Sequence, residues 1–129
     1  MIVILGTAHL KSTPGKCSPD GEFKEYKYSR EIVEELKIKL EAMNYIVYVD
    51  IPEDDIKGIT SSQELVRRVK FVNELCDKYG TKNCLYVSIH VNAAASDGKW
   101  HTGTGWEAYT TKGKTGSDTL ATFLYKRAE

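Results

Sequence analysis

Apolar residues open this chain without interruption, Met1-Ile2-Val3-Ile4-Leu5-Gly6, the pattern of a strand covered on both faces. A polar stretch punctuated by Pro14, Gly15, Pro19 and Gly21 follows, too long for a plain connection. From about Ser29 the apolar positions Ile32, Val33, Leu36, Leu40 and Met43 recur at helical spacing, with Asn44 as the stop signal. Tyr45 to Val49 reads as a second strand. Ser61 and Glu64 form a capping-box pair ahead of a second helix, whose buried stripe is expected to be Leu65, Val69, Val72 and Cys76 and which ends at Gly80. Cys84 to Val91 reads as a third strand and Gly105 to Thr111 as a fourth. Ser117 is the expected cap of a last helix carrying Leu120, Ala121, Leu124 and Ala128. Strands alternating with helices predict an α/β fold, a mostly parallel twisted sheet flanked by helices and joined by right-handed crossovers.

Composition mainly excludes. At 129 residues, 41% apolar and 28% charged, the chain has the size of a single domain with a real core, read as spanning 1–129. Lysine plus arginine and aspartate plus glutamate number 18 each, so no basic excess draws it to a phosphate backbone, and no nucleic-acid partner is expected. No apolar run approaches the ~20 residues of a membrane span, and the start lacks the basic leader and apolar length of a signal peptide. No membrane insertion is expected. Cys17, Cys76 and Cys84 are odd in number and lack Cys-x-x-Cys spacing, and they read as free thiols rather than a disulfide framework or thiolate metal site.

In parallel sheets ligands gather beyond the carboxyl ends of the strands, and His9 and His90 both fall at such ends. On the third strand Leu85, Val87, Ile89 and Val91 share one face, while Tyr86, Ser88, His90 and Asn92 form a polar row on the other. A lone strand-end histidine is more often a hydrogen-bonded structural residue than a ligand. Two at equivalent ends shift the balance toward a shared site, because two imidazoles and one carboxylate make the open three-ligand zinc site of a hydrolase. The segment Asp20-Gly21-Glu22-Phe23-Lys24-Glu25 offers Asp20, Glu22 and Glu25 as that carboxylate. Composition does not choose among them, since acids at a helix start are also favoured by its dipole. The loop from Ser96 to Gly103 carries Trp100 and His101, whose rings suit contact with a sugar or peptide as well as an exposed loop tip.

Three segments, Gly6-Thr7-Ala8-His9, Lys24-Glu25-Tyr26-Lys27-Tyr28-Ser29 and Ser88-Ile89-His90-Val91-Asn92-Ala93, resemble the zinc-dependent N-acetylmuramoyl-L-alanine amidases. Glu25-Tyr26-Lys27-Tyr28 is similar to the phage and Bacteroidetes-type branch of that family, and the resemblance runs from Met1 to about Tyr109. The first motif departs from the usual Gly-His-Gly, with Thr7 and Ala8 before the histidine and Leu10 after it. The resemblance implies Zn²⁺ held by His9, Glu25 and His90, with Glu22 as the reserve carboxylate. It implies hydrolysis of the amide between N-acetylmuramic acid and L-alanine in peptidoglycan, with Asn92, Trp100 and His101 near the substrate and His101 not a ligand. Zinc in such a site makes water a nucleophile near neutral pH and polarises the amide carbonyl, while a carboxylate carries the proton to the leaving amine. In similar amidases that Glu lies on a later strand, so this chain is expected to be the first two-thirds of the domain, truncated at its C-terminal end. Glu107, in Gly105-Trp106-Glu107-Ala108-Tyr109, matches a Gly-x-Glu-x-Tyr element and is expected to support the chemistry. Glu129, the last residue, is a poor candidate. Self-association through an exposed sheet edge is a further expectation.

Two readings of other classes compete. Ala108-Tyr109-Thr110-Thr111-Lys112-Gly113-Lys114-Thr115 approximates a phosphate-binding loop between a predicted strand and helix, the mark of a nucleotide-binding protein. Ala108 replaces its first glycine, and little chain remains for the metal-holding Asp of such a domain. A non-catalytic, zinc-containing peptidoglycan-binding fragment would keep fold and metal without turnover. A cell-wall substrate places the work outside the cytoplasmic membrane, in the periplasm or wall, reached after removal of a leader or by lysis, as for a phage endolysin.

Overall fold

The computed structural model describes residues 1–128, and Glu129 lies outside them. Its elements are β1 (Ile2–Gly6), α1 (Glu25–Ala42), β2 (Ile46–Val49), α2 (Ser61–Tyr79), β3 (Cys84–Ser88) and α3 (Gly116–Ala128), with a short 3₁₀ turn at Thr81–Asn83. Among the described residues the strands form one parallel sheet in the order β2-β1-β3, with Ile2 opposite both Ile46 and Cys84. The α/β expectation therefore holds. None of the described helices is long and apolar enough to cross a membrane.

Every residue of β1 is buried, because each face of the strand has its own helix. Val3 and Leu5 pack with Val33 of α1 and Val47 of β2, flanked by Leu36 and Leu40. Ile2 and Ile4 point the other way, onto Leu75 of α2 with Phe71 and Val72 beside it. Burying an aliphatic side chain of this kind contributes roughly 1.5–3 kcal/mol, so the central strand carries much of the core. At its end a side chain on Gly6 would run into the Tyr86 hydroxyl and lie 2.8 Å from Ser88 Oγ, so close approach of β3 requires glycine here.

Helix α1 starts at Glu25, a turn earlier than the apolar periodicity places it. Its inward stripe runs Glu25, Ser29, Val33, Leu36 and Leu40, so the first turn faces inward with polar groups that a hydrophobic pattern misses. Met43 is exposed, contrary to expectation. The stop at Asn44 is as predicted: its φ is 65°, its N–H donates to Glu41 C=O at 2.9 Å, and Tyr45 N–H donates to Leu40 C=O at 3.1 Å, a Schellman ending.

Helix α2 corrects two expectations. Its capping box is Thr60 with Gln63, one residue before the predicted pair: Gln63 N–H donates to Thr60 Oγ1 at 3.2 Å, and Thr60 N–H to Gln63 Oε1 at 2.8 Å. Glu64 is otherwise engaged, since its Oε1 accepts Arg68 Nη2 at 2.7 Å, and Arg68 Nη1 reaches Asp50 Oδ2 at 2.7 Å. Thr7 Oγ1 and the Tyr86 hydroxyl complete this buried network at 3.2 and 3.0 Å. Burial and the Asp50 charge push the Tyr86 phenol up to about 12. Because Glu64 and Arg68 point inward, the helix is rolled so that Leu65 and Val69, expected in the core, are exposed instead.

Residues 105–111 form no strand, and Trp106 and Tyr109 in that segment are exposed. Alternation marks residues that fit a half-buried surface, but without a neighbouring strand it has no ladder to join. Helix α3 starts at Gly116, so Ser117 lies inside it rather than capping it, and the side chain that bonds back to the helix start is Asp118, whose Oδ2 accepts Thr115 N–H at 2.6 Å.

Gly6→Ala is expected to cost roughly 1–3 kcal/mol through overpacking against Tyr86 and Ser88, read as a lower urea midpoint with native helix content. Arg68→Met strands the charges of Asp50 and Glu64 and is expected to cost about 3–5 kcal/mol. Replacing Arg68, Asp50 and Glu64 together with apolar residues should recover most of that loss in the same melts.

Candidate metal centre

Beyond the carboxyl ends of β1 and β3 the chain turns out of the sheet and brings His9 and His90 together. Their rings meet edge to face, with centroids 5.2 Å apart. Glu25, first residue of α1, lies between them: its Oε1 is 3.1 Å from His90 Nδ1 and 3.8 Å from His9 Nε2. Val91 N–H donates to the same oxygen at 3.1 Å, which fixes the carboxylate rotamer. One donor atom from each of His9, Glu25 and His90 falls within 4.8 Å of the others. Glu25 is 6% exposed while the His90 side chain is 50% exposed, so the cluster has a closed floor and one open side.

The other acids of the preceding loop have different places. Asp20 Oδ1 accepts Ser18 Oγ at 2.5 Å and Glu22 N–H at 3.0 Å, closing a surface turn. Neither Asp20 nor Glu22 joins the cluster.

His9 sits at a φ of 28°, a backbone region that costs a non-glycine residue about 1–3 kcal/mol and persists only when its surroundings enforce it. Arg30 does so. Its Nη1 donates to Ala8 C=O at 3.0 Å, His9 C=O at 2.9 Å and Tyr26 C=O at 3.0 Å, and its Nη2 to Glu53 C=O at 2.7 Å. The neighbouring Ser29 hydroxyl, fully buried, accepts Ala8 N–H at 2.7 Å. Sequence inspection missed both residues. The signal was present as a polar pair on a helix's inner face, but only the fold reveals what they hold.

Burial, only partly offset by the Glu25 charge, pulls the His9 imidazole below its ordinary value. Burial opposes the Glu25 charge too, yet the bonds from His90 and Val91 N–H, with the neighbouring imidazoles, outweigh it and hold the carboxyl below its usual range. At neutral pH the pair is a neutral imidazole beside a carboxylate, the protonation state in which both ligate metals.

Residues 3–129 match the sequence profile of the family described as N-acetylmuramoyl-L-alanine amidase. The chain belongs to that family. Its fold is similar to that of the CwlD amidase from Clostridioides difficile, solved in complex with the GerS lipoprotein, at 24% identity and a TM-score of 0.56. The likeness covers 71% of this chain and 48% of that one, so the chain spans about half the length of this solved relative. No curated protein sequence matches it significantly.

In this amidase-family chain Glu107 is bonded to the segment that follows His90: its Oε2 accepts Asn92 Nδ2 at 2.6 Å and the Tyr109 hydroxyl at 2.6 Å. Those bonds, Tyr109 first, lower its carboxyl below the usual range. Trp100 is 70% exposed, and His101 pairs with Asp97 at 2.9 Å rather than with the cluster. In the connection between β1 and α1, Lys11, Lys16, Lys24 and Tyr26 help line a cavity of about 290 Å³ that His9 and Glu25 do not line. The segment resembling a phosphate-binding loop has no strand before it, so the strand-loop-helix setting that such a loop needs is lacking.

Because folded His9 titrates below its ordinary value of 6.5, the unfolded chain takes up a proton there that the folded chain refuses. Stability of the metal-free chain should therefore be intact above that value and fall as the pH drops below it, with a second decline from Glu25 below about 4.5. His9→Gln should abolish the upper decline, measured as the urea midpoint between about pH 5 and 8.

Proposed function

We propose that this chain is the zinc-dependent catalytic part of a peptidoglycan amidase, hydrolysing the amide between N-acetylmuramic acid and L-alanine. The observation that carries this reading is the convergence of His9, Glu25 and His90, from three separate segments, on one small volume. Tetrahedral bonds of ~2.0–2.1 Å put ligand atoms roughly 3.3 Å apart. The separations of 3.1 and 3.8 Å around Glu25 Oε1 bracket that value, the whole set lies within 4.8 Å, and two nitrogens with one carboxylate oxygen are a zinc donor set. Family membership supports the same assignment.

His9 and His90 would hold the ion as neutral imidazoles, and Glu25 would keep its charge through Val91 N–H. Bound zinc supplies a water made nucleophilic near neutral pH and polarisation of the scissile carbonyl. The chain must still move a proton from that water to the amine, because an amine anion is a very poor leaving group. The resemblance puts that task on a Glu of a later strand, and among the described residues Glu107 is the candidate to carry it. It is ionised at neutral pH, and both of its bonds end on Oε2, which leaves Oε1 to accept the proton and return it. Asn92, two residues after His90, orients it. The exposed Trp100 and His101 offer ring surface to the glycan side, and the lysine-lined cavity suits the carboxylates of a stem peptide. Peptidoglycan as substrate places the work outside the cytoplasmic membrane.

Metal analysis should find one zinc per native chain, lost from His9→Ala, Glu25→Ala and His90→Ala and retained by His101→Ala and Glu22→Ala. Release of new L-alanine amino termini from purified peptidoglycan measures turnover. Glu107→Gln should keep its zinc and lose about 10²- to 10⁴-fold in rate. Zinc retained by all three ligand variants would sink the assignment. A zinc-loaded native chain that sediments with peptidoglycan but releases no amino termini would turn the reading toward a binding fragment.

A further inference from the structure

We propose that Ser29 is a positioning residue whose hydroxyl, wedged between β1 and β3, sets the spacing of the His9, Glu25 and His90 ligands. The inference rests on the metal-centre reading above and adds to it the device that sets the geometry.

The pairing of β1 with β3 runs from Ile2 opposite Cys84 to Gly6 opposite Ser88, and continues for one more bond, Ile89 N–H to Gly6 C=O at 3.0 Å. In a parallel ladder a residue uses its N–H and its C=O on the two residues that flank one partner. The next rung should therefore run from Ala8 N–H to Ile89 C=O. Ser29 Oγ occupies that rung instead, accepting from Ala8 N–H at 2.7 Å and donating to Ile89 C=O at 2.8 Å. The directions are forced, since an amide N–H can only donate and a carbonyl can only accept, and one hydroxyl serves both. Two bonds in series replace a direct contact of ~2.9 Å, so the strands part here by the width of an oxygen.

Ala8 and Ile89 are the residues immediately before His9 and His90. Ser29 is one turn after Glu25 on the same inward face of α1, and it is 0% exposed. A single atom thus ties together the backbones that carry both imidazoles and the helix that carries the carboxylate. Without it, the strands can close into the direct rung or leave two buried groups unpaired, and either outcome moves one imidazole relative to the other and to Glu25. Arg30 fixes the carbonyl side of Ala8 and His9 but makes no bond to β3, so it does not duplicate this link.

Co²⁺ reports ligand geometry through its visible absorption, and competition with a chelator gives Zn²⁺ affinity. The full chain should bind one Co²⁺ with the intense bands of a four-coordinate site. Ser29→Ala should bind Zn²⁺ about 10- to 100-fold more weakly, with altered Co²⁺ bands in the folded protein, and Ser29→Thr, which keeps a hydroxyl, should restore both. Leu75→Ala, a core change on the opposite face of the sheet, controls for lost stability: it should lower the urea midpoint and leave the bands of the folded protein unchanged. If Ser29→Ala does not fold, Ser29→Cys, with a longer bond and a weaker donor, should shift the bands. Native affinity and bands in the folded Ser29 variants would overturn the proposal while leaving the metal centre standing. Failure of the native chain to bind Co²⁺ or Zn²⁺ would overturn both.

Discussion

Parallel pairing of β1 with β3 is the constraint on which the rest of this molecule depends. It places Gly6 opposite Ser88, where the absence of a side chain on Gly6 leaves room for the Tyr86 ring and Ser88 Oγ. From that register the chain needs three further residues to reach His9 and two to reach His90. Both segments therefore leave the sheet from adjacent strands at one level, and their imidazoles meet with centroids 5.2 Å apart. A slip of one residue would turn the polar row of β3 to its other face and separate them.

The two helices that cover β1 do different work. The inner stripe of α1 begins polar and becomes apolar, so its first turn equips the site while its later turns build the core. Helix α2 turns an ion pair inward. Arg68 between Asp50 and Glu64 ties α2 to the end of β2, and through Thr7 to the segment that leads into His9. Among the described residues no buried side-chain polar atom lacks a partner, which is the condition under which such a network is tolerated. The site thus rests on a charged but fully satisfied floor, and its ligands gain rigidity from helices anchored elsewhere.

Strain and charge are concentrated where the metal is proposed to bind. His9 is held at positive φ by the carbonyl bonds of Arg30, and Glu25 keeps its charge through one backbone N–H and two imidazoles. Glu107 is reached through a single amide, Asn92, from an exposed segment without regular structure. The ligands are therefore set by the fold, whereas the proposed proton carrier is set by side-chain bonds near the surface.

The sequence by itself determined the elements whose signals are local. The uninterrupted apolar run of β1 and the Asn44 stop of α1 were legible because backbone geometry and burial act over neighbouring residues, whereas β3, expected to reach Val91, pairs only from Cys84 to Ser88. His9 and His90 were legible as candidates because strand ends can be counted. Choosing Glu25 over Asp20 and Glu22 needed family likeness at the level of sequence, and in the fold it follows from which carboxylate lies between the imidazoles. Tertiary structure alone decided the roll of α2, since Arg68, buried against Asp50 at the end of β2 and Glu64 one turn earlier on its own helix, turns Leu65 and Val69 of the predicted stripe out to solvent. It also decided that residues 105–111 form no strand, for a strand exists only with a neighbour to bond. The role of Ser29 could not be read along the chain at all, because a hydroxyl between two strands is defined by residues 21 and 60 positions away.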